Sequence, residues 1–154
     1  MNPELTGLVG FLREATIGKL RIGVQSDFAE KYFGPPEGRN VWGTDGLTLK
    51  WQELQLSFER ETLFQISVEI IGEPTSIRLR DDILFEIPQH LIPFDAFAGF
   101  IEECQLTWHP FVPLTFDDQR CFALASGVHV LFLGEELNKL VTTRLSTPLH
   151  DAHL

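Results

Sequence analysis

Four small groups of residues in this 154-residue chain have types and spacing that could do chemistry. His150 and His153 flank Asp151, and two imidazoles with one carboxylate can bind a divalent metal. Cys104 and His109 are close in sequence, and a thiolate beside an imidazole can act as a nucleophile. The other two groups are adjacent carboxylates, Asp81-Asp82 and Asp117-Asp118.

Each of these groups also fits a structural role. Residues at a chain terminus are usually poorly ordered. Cys104 continues the apolar stripe of a predicted helix, where a buried cysteine behaves as a small hydrophobe. Catalytic carboxylates need a defined separation in space, which adjacency in sequence does not provide. Nucleophile-elbow, phosphate-loop and zinc-protease motifs do not occur in the sequence. We therefore predict no catalytic residue, no metal, no cofactor and no enzymatic activity.

Composition predicts a globular chain that binds neither nucleic acid nor membrane. Hydrophobic residues make up 44% and charged residues 22%, which suits one domain or two small units that share a core. The net charge of −10 repels phosphates and acidic membranes and attracts a basic partner. Only two cysteines occur, the N-terminus has no basic leader, and no apolar run approaches about 18 residues. These features predict a cytoplasmic protein.

Three helices are predicted from apolar spacing. The first follows Pro3 and Glu4. Ser26 caps the second, which ends at Gly34 before two prolines. Residues 94–106 form the third. Residues 32–43, with the sequence YFGPPEGRNVWG, are predicted to end the second helix and lead the chain onto a sheet.

Alternating apolar residues predict antiparallel strands that bury one face. Residues 47–51, 54–58 and 64–70 form three such runs, with short polar breaks suited to hairpin turns. Ile77 and Leu79 extend the pattern, and residues 83–87 are predicted to be extended. Alternation returns at Phe122 and continues over residues 128–132.

The second alternating region predicts an internal repeat. Val128 lies 74 positions after Leu54, and the same offset pairs Phe58 with Phe132. A helix, a proline-containing loop and a hairpin recur in the same order. We therefore predict an α+β fold of two tandem units, residues 1–87 and 88–154, each with helices packed on one face of an antiparallel sheet.

Residues 22–36 resemble the helix motif of small BamE/SmpA-like bacterial domains. The residues that carry the likeness are Ile22, Gly23, Ser26, Gly34 and Pro36. Two such units in one chain resemble the architecture of β-lactamase inhibitor protein, and also small bacterial proteins thought to be toxin-immunity partners. The resemblance implies a helix-backed sheet whose other face binds a protein. The second half departs from the motif, because Trp108-His109-Pro110 stands where Gly-x-Pro is expected.

The outward-facing strand residues are the candidate partner-binding site. In the first unit these are Gln55, Ser57 and Glu59, which make a polar face. In the second unit they are His129, Leu131 and Leu133, which make a partly apolar face. An exposed apolar patch usually marks a contact site, so replacing both leucines by aspartate is expected to weaken binding and leave the fold intact. Alternatively, the two units or two copies of the chain pack together through this face.

Trp42 and Trp108 complete the candidate site. Each is predicted to lie in a loop just after a helix, at equivalent places in the two units. Tryptophan is enriched in binding hot spots, and it also serves as a plug over the open end of a small core. Both roles are open from sequence.

These observations together predict a non-enzymatic protein-binding module of a bacterial cytoplasm. An immunity or inhibitor protein for a basic partner would have this character, and homodimer formation is also compatible. The alternative is a small-molecule-binding protein or an enzyme with a pocket between helices and sheet.

Overall fold

The computed structural model describes residues 5–80 and 82–144. Its helices are α1 (Thr6–Glu14), α2 (Ser26–Phe33) and α3 (Phe94–Glu103). The strands of the first part of the chain are β1 (Gly38–Trp42), β2 (Gly46–Trp51), β3 (Leu54–Glu59), β4 (Thr62–Glu69), β5 (Thr75–Arg80) and β6 (Ile83–Ile87). Those of the second part are β7 (Trp108–Pro110), β8 (Gln119–Leu124), β9 (His129–Leu133) and β10 (Glu136–Thr143). Pro3, Glu4, Asp81 and residues 150–153 lie outside the described residues.

Eight strands form one antiparallel sheet in the order β1-β2-β3-β4-β10-β9-β8-β7. Its centre is the pairing of β4 with β10, in which Val68 lies opposite Leu140. Strands β5 and β6 form a separate hairpin. We call the eight-stranded sheet the large sheet.

The prediction of two tandem units, each with helices on its own sheet, is wrong. Strands dominate the described residues, which hold only three short α-helices, and β4 and β10 join both parts of the chain in one sheet. Alternation reveals which face of a strand is buried but not which strand lies beside it. The duplication itself stays a prediction. Extra residues interrupt β4 at Phe64 and β10 at Asn138, which are again 74 positions apart.

One apolar core lies on a single face of the large sheet, which we call the helix face. Side chains from β2, β3, β4, β9 and β10 meet those of the three helices and the β5–β6 hairpin in one continuous cluster. Helix α1 lies on β6, where the Phe11 and Phe85 rings meet edge to face at 5.9 Å. A Cβ atom on Gly7 would lie 2.3 Å from the Leu84 carbonyl oxygen. Gly7 therefore permits the close approach of α1 to β6. We call the opposite side of the large sheet the outer face.

The segment between α2 and the sheet differs in detail from the prediction. Helix α2 begins at Ser26, and no side-chain hydrogen bond caps it. Ser26 is buried instead, and its backbone N–H donates to the Glu61 carbonyl oxygen at 2.8 Å. Gly34 ends the helix with a φ of 88°. Residues 38–42 then form the edge strand β1 where a loop was expected, because they pair with β2 along their whole length.

In residues 5–80 and 82–144, no helix has both the length and the apolar content needed to cross a membrane.

Candidate functional site

The outer face of β2 and β3 carries the polar residues that alternation assigns to it. Ser57 lies opposite Thr48, and Gln55 lies opposite Lys50. The hydroxyl oxygens of Thr48 and Ser57 are 3.1 Å apart and share a hydrogen bond. Gln55 and Ser57 are half-buried, and Glu59 at the end of β3 is exposed. This part of the outer face is therefore polar and accessible.

Trp42 lies flat on this same face rather than in a loop. It is paired with Gly46, where an added Cβ would come within 2.2 Å of the indole ring. The indole N–H donates to the Thr48 hydroxyl at 2.9 Å. The Phe64 ring meets the indole edge to face at 6.0 Å. Because Trp42 is still 36% exposed, it is a fixed aromatic side chain with a free surface.

Phe64 was predicted to point into the core and does not. The bulge in β4 places Leu63 opposite Phe58 and leaves Phe64 as the extra residue. Its ring contacts Trp42, and the Arg144 guanidinium lies 5.8 Å from the ring centre. A one-residue bulge reverses the side on which residues are expected, and no sequence signal marks this one.

Trp108 lies on the helix face, opposite to Trp42. It pairs with Leu124 of the core and stacks on the Phe122 ring at 4.5 Å. The rings of Phe94, Phe97 and Phe132 also surround it. The two tryptophans are therefore not at equivalent places, and Trp108 is half-buried and packs against the core, as the plug role predicts.

The outer face of β9 is mostly covered, contrary to the prediction. His129 is 9% and Leu131 8% exposed, whereas Leu133 is 56% exposed. Residues 111–116 fold back across this side of the sheet, and the Phe111 ring lies 4.4 Å from the His129 ring. The Thr115 hydroxyl accepts the backbone N–H of Cys121 at 3.2 Å and donates to the Phe111 carbonyl. Of the three second-unit candidates, only Leu133 is available to a partner.

Three groups in the described residues have a shifted pKa, and burial is the main cause in each case. It lowers the pKa of His129, and repulsion from His109 lowers that pKa further. Burial also raises the pKa of Cys121 to about 11 and raises the pKa of Cys104. Raised thiol pKa values oppose thiolate formation at neutral pH, so neither cysteine is prepared as a nucleophile.

The suggested Cys104–His109 pair is not assembled. Cys104 belongs to the core on the helix face, whereas His109 pairs with Ala123 on the outer face. Asp117 and Asp118 form the tight turn between Phe116 and Gln119. Within the part of the chain that the structure describes, no group of three or more His, Cys, Asp or Glu residues could hold a metal ion.

Two larger cavities lie on opposite sides of the molecule. One of about 480 Å³ is walled by α3, the turn before it and the start of α1, and includes His90 and Glu103. No strand residue lines it, so it is not the pocket between helices and sheet of the alternative interpretation. The other, of about 560 Å³, opens at one end of the outer face between Lys50, Glu69 and Glu73.

Sequence reasoning missed two exposed apolar residues at this end of the sheet. Ile71 lines the second cavity and is 67% exposed, and Phe116 is 55% exposed farther along the same end. Ile71 comes before Gly72, and Phe116 comes before the Asp117-Asp118 turn. A large apolar residue in a turn is the signal that could have identified both.

Residues 22–36 are held against the sheet by their backbone. Gly23 has a φ of 103°, and its N–H donates to the Leu63 carbonyl at 2.9 Å. Gly34, as described, has positive φ at the end of α2. Neither a protein-family model, nor a curated protein, nor a solved structure matches this chain, so the resemblance of residues 22–36 stays a prediction.

Proposed function

We propose that this protein is a non-enzymatic binding module that captures a basic protein partner with the outer face of its sheet. The observation that carries the proposal is Trp42, which lies 36% exposed on a polar sheet face that the helices leave uncovered. Tryptophan side chains dominate the energetics of many interfaces. The Thr48 hydrogen bond and the contact with Gly46 hold Trp42 in place before binding, which lowers the entropy cost of association.

The charge of the chain defines the class of partner. A net charge of −10 accelerates encounter with a basic protein and disfavours an acidic one. Glu59 lies at the edge of the exposed face, 3.9 Å from Arg144, and a surface pair this long is weak enough to exchange partners. An immunity or inhibitor protein for a basic toxin fits these properties.

Both cysteines support a reducing compartment such as a bacterial cytoplasm. Cys104 and Cys121 are free and buried, and neither forms a disulfide. Free cysteines are usual in cytoplasmic proteins, so we propose the cytoplasm as the compartment of this interaction.

Affinity capture of the tagged protein from a lysate of its source organism tests the function. We expect a stoichiometric basic protein, whose affinity then falls at least about tenfold with Trp42→Ala, as for a hot-spot residue. Phe28→Ala is the matched control, because Phe28 is a similarly exposed aromatic residue on helix α2. Equal binding by the wild-type and Trp42→Ala proteins would refute the use of this face. Capture of the chain by itself alone would indicate a homodimer instead.

A further inference from the structure

Three exposed apolar side chains form a row across one end of the large sheet. Leu133 pairs with Gln119 of β8, and Gln119 in turn bridges to Phe116. Residues paired across antiparallel strands share a face, so Phe116 and Leu133 lie on the same side of the sheet. Leu133 and Ile71 both line a small cavity of about 120 Å³. We call Ile71, Leu133 and Phe116 the apolar row.

The backbone holds the Ile71 side chain outward in an energetically unfavourable conformation. Its φ of 52° is in the left-handed region, which β-branched residues rarely adopt. The N–H groups of Ile70 and Ile71 both donate to the Asn138 carbonyl at 2.9 Å, and Gly72 donates to the Leu137 carbonyl. The loop after β4 is thus tied to β10 in a form that presents the Ile71 side chain to solvent. Strained backbone of this kind is concentrated at functional positions.

Ile71 also forms part of the wall of the cavity of about 560 Å³. The apolar part of that wall is completed by Ile70 and Pro74. Glu53 and Glu73 contribute exposed carboxylates, and among the described residues neither carboxylate forms a hydrogen bond or an ion pair. The apolar row therefore ends in a cavity whose wall, within residues 5–80 and 82–144, carries two unpaired carboxylates and one unpaired cation, Lys50, so that negative charge is in excess.

Carboxylates are concentrated on the turns and strand ends at this end of the sheet. They are Glu37, Glu53, Glu69, Glu73, Asp117, Asp118, Glu135 and Glu136. The cations on the large-sheet strands at this end are Arg39, Lys50, Arg120 and Lys139. Arg78 of β5 lies beside the β2–β3 turn, where its backbone is hydrogen-bonded to the Gln52 side chain. In the described part of the chain, ion pairs engage Arg39, Arg120 and Lys139 but not Lys50 or Arg78. We call this region the acidic end.

The opposite end of the sheet is closer to neutral in the described residues. On the strands and turns of the large sheet, its carboxylates Asp45 and Glu59 are paired with Arg60 and Arg144, and Glu61 is the remaining acid. The large sheet therefore has unlike ends, and only one combines exposed apolar side chains, an open cavity and excess negative charge.

We propose that the acidic end docks a segment of the partner protein in which apolar residues alternate or cluster with arginine or lysine. The apolar side chains of that segment cover Ile71 and Leu133, and a cationic side chain enters the cavity between Glu53 and Glu73. A neutral apolar partner would remove water from these carboxylates without compensation, and an acidic one would be repelled. This inference rests on the proposed function and extends it. Trp42 and Glu59 lie toward the opposite end of the same outer face, so the partner would span the face from Trp42 to the acidic end.

Nuclear magnetic resonance titration of the whole ¹⁵N-labelled chain tests the inference with defined peptides. The probe is a capped hexapeptide of alternating leucine and arginine, compared with the leucine–glutamate and serine–arginine peptides of the same length. We expect the leucine–arginine peptide to shift amide signals of residues 70–73 and 133–136. The leucine–glutamate peptide should shift none of these, and the serine–arginine peptide should bind more weakly because it cannot cover the apolar row.

Variants of the cavity residues distinguish recognition by Glu53 and Glu73 from attraction by the overall negative charge of the chain. Replacing Glu53 and Glu73 by glutamine should weaken the leucine–arginine peptide about fivefold, as expected for two surface charges, whereas Lys50→Gln should strengthen it. The matched control is Glu14→Gln with Glu102→Gln, which removes two exposed carboxylates from helices α1 and α3. This control should leave the affinity nearly unchanged.

The inference is overturned if the signals of residues 70–73 and 133–136 do not move, or if both double variants bind equally. It is also overturned if a captured partner binds the Glu53→Gln, Glu73→Gln variant as tightly as the wild-type protein. That last result would leave the proposed function intact. Specific peptide binding without any captured partner would instead support the acidic end and count against the proposed function.

Discussion

Two glycines in helix α1 give opposite expectations for the same substitution. Gly7 faces strand β6, and an alanine Cβ there would lie 2.3 Å from the Leu84 carbonyl oxygen and 3.3 Å from the Phe85 Cα. Both contacts are with backbone, which cannot rotate away. Gly10 lies one turn later in the helix, and nothing is within 4 Å of its added Cβ. One substitution tests packing, and the other tests helix propensity.

The expected difference in unfolding free energy follows from these two geometries. Forcing an extra methyl into a packed contact costs about 1–3 kcal/mol, so Gly7→Ala should be less stable than the wild-type protein. Replacing an unobstructed helical glycine by alanine gains about 0.5–1 kcal/mol, so Gly10→Ala should be slightly more stable. For a chain of this length, each kcal/mol shifts Tm by about 2–4 °C, so the two variants should differ clearly.

Urea unfolding followed by tryptophan fluorescence measures both variants under the same conditions. A shift in midpoint with an unchanged slope shows that stability changed and that the unfolded state did not. If Gly7→Ala is as stable as Gly10→Ala, helix α1 does not lie against β6 as described, and the reasoning is refuted. If both variants lose stability equally, helix propensity does not determine the effect of the Gly10→Ala substitution.

Two further predictions concern the outer face. Leu131→Asp should destabilise the fold by about 3 kcal/mol or more, because it buries a carboxylate in a nearly closed site. Leu133→Asp should change the unfolding free energy by less than about 0.5 kcal/mol, because Leu133 is exposed. Equal urea midpoints for the two variants would contradict this difference in burial. The lowered pKa of His129 means that the unfolded chain binds a proton at this residue at a higher pH than the folded chain does. The stability that it contributes is thus present above its usual pKa of 6.5 and is lost as pH falls through the folded pKa. His129→Gln should therefore lose less stability than the wild-type protein on acidification from neutral to mildly acidic pH, and parallel pH profiles would show that His129 is not responsible.

The burial of Leu131 also corrects an expectation about mutants of this surface. Replacing both Leu131 and Leu133 by aspartate was expected to leave the fold intact. Since Leu131 is only 8% exposed, any loss of binding in that double variant would be confounded by unfolding. Leu133→Asp alone is the informative change.

The sequence by itself determined the local elements of this protein. Alternation identified the hairpin β3–β4 and the inward residues of β9, because a strand that buries one face needs an apolar residue at every second position. The end of helix α2 at Gly34 also followed from sequence, since the positive φ there favours glycine. The charge of −10 already indicated a basic partner as a proposal.

Only the tertiary structure decided how these elements combine. Whether β4 pairs with β10 depends on contacts between residues far apart in the chain, which no local pattern encodes. The same dependence placed Trp42 and Trp108 on opposite faces and folded residues 111–116 over His129. The apolar row arises in the same way, because Ile71, Leu133 and Phe116 come from separate turns and strand ends that converge at one end of the sheet. Side-chain alternation is a property of each strand, whereas a binding surface is a property of the assembled sheet.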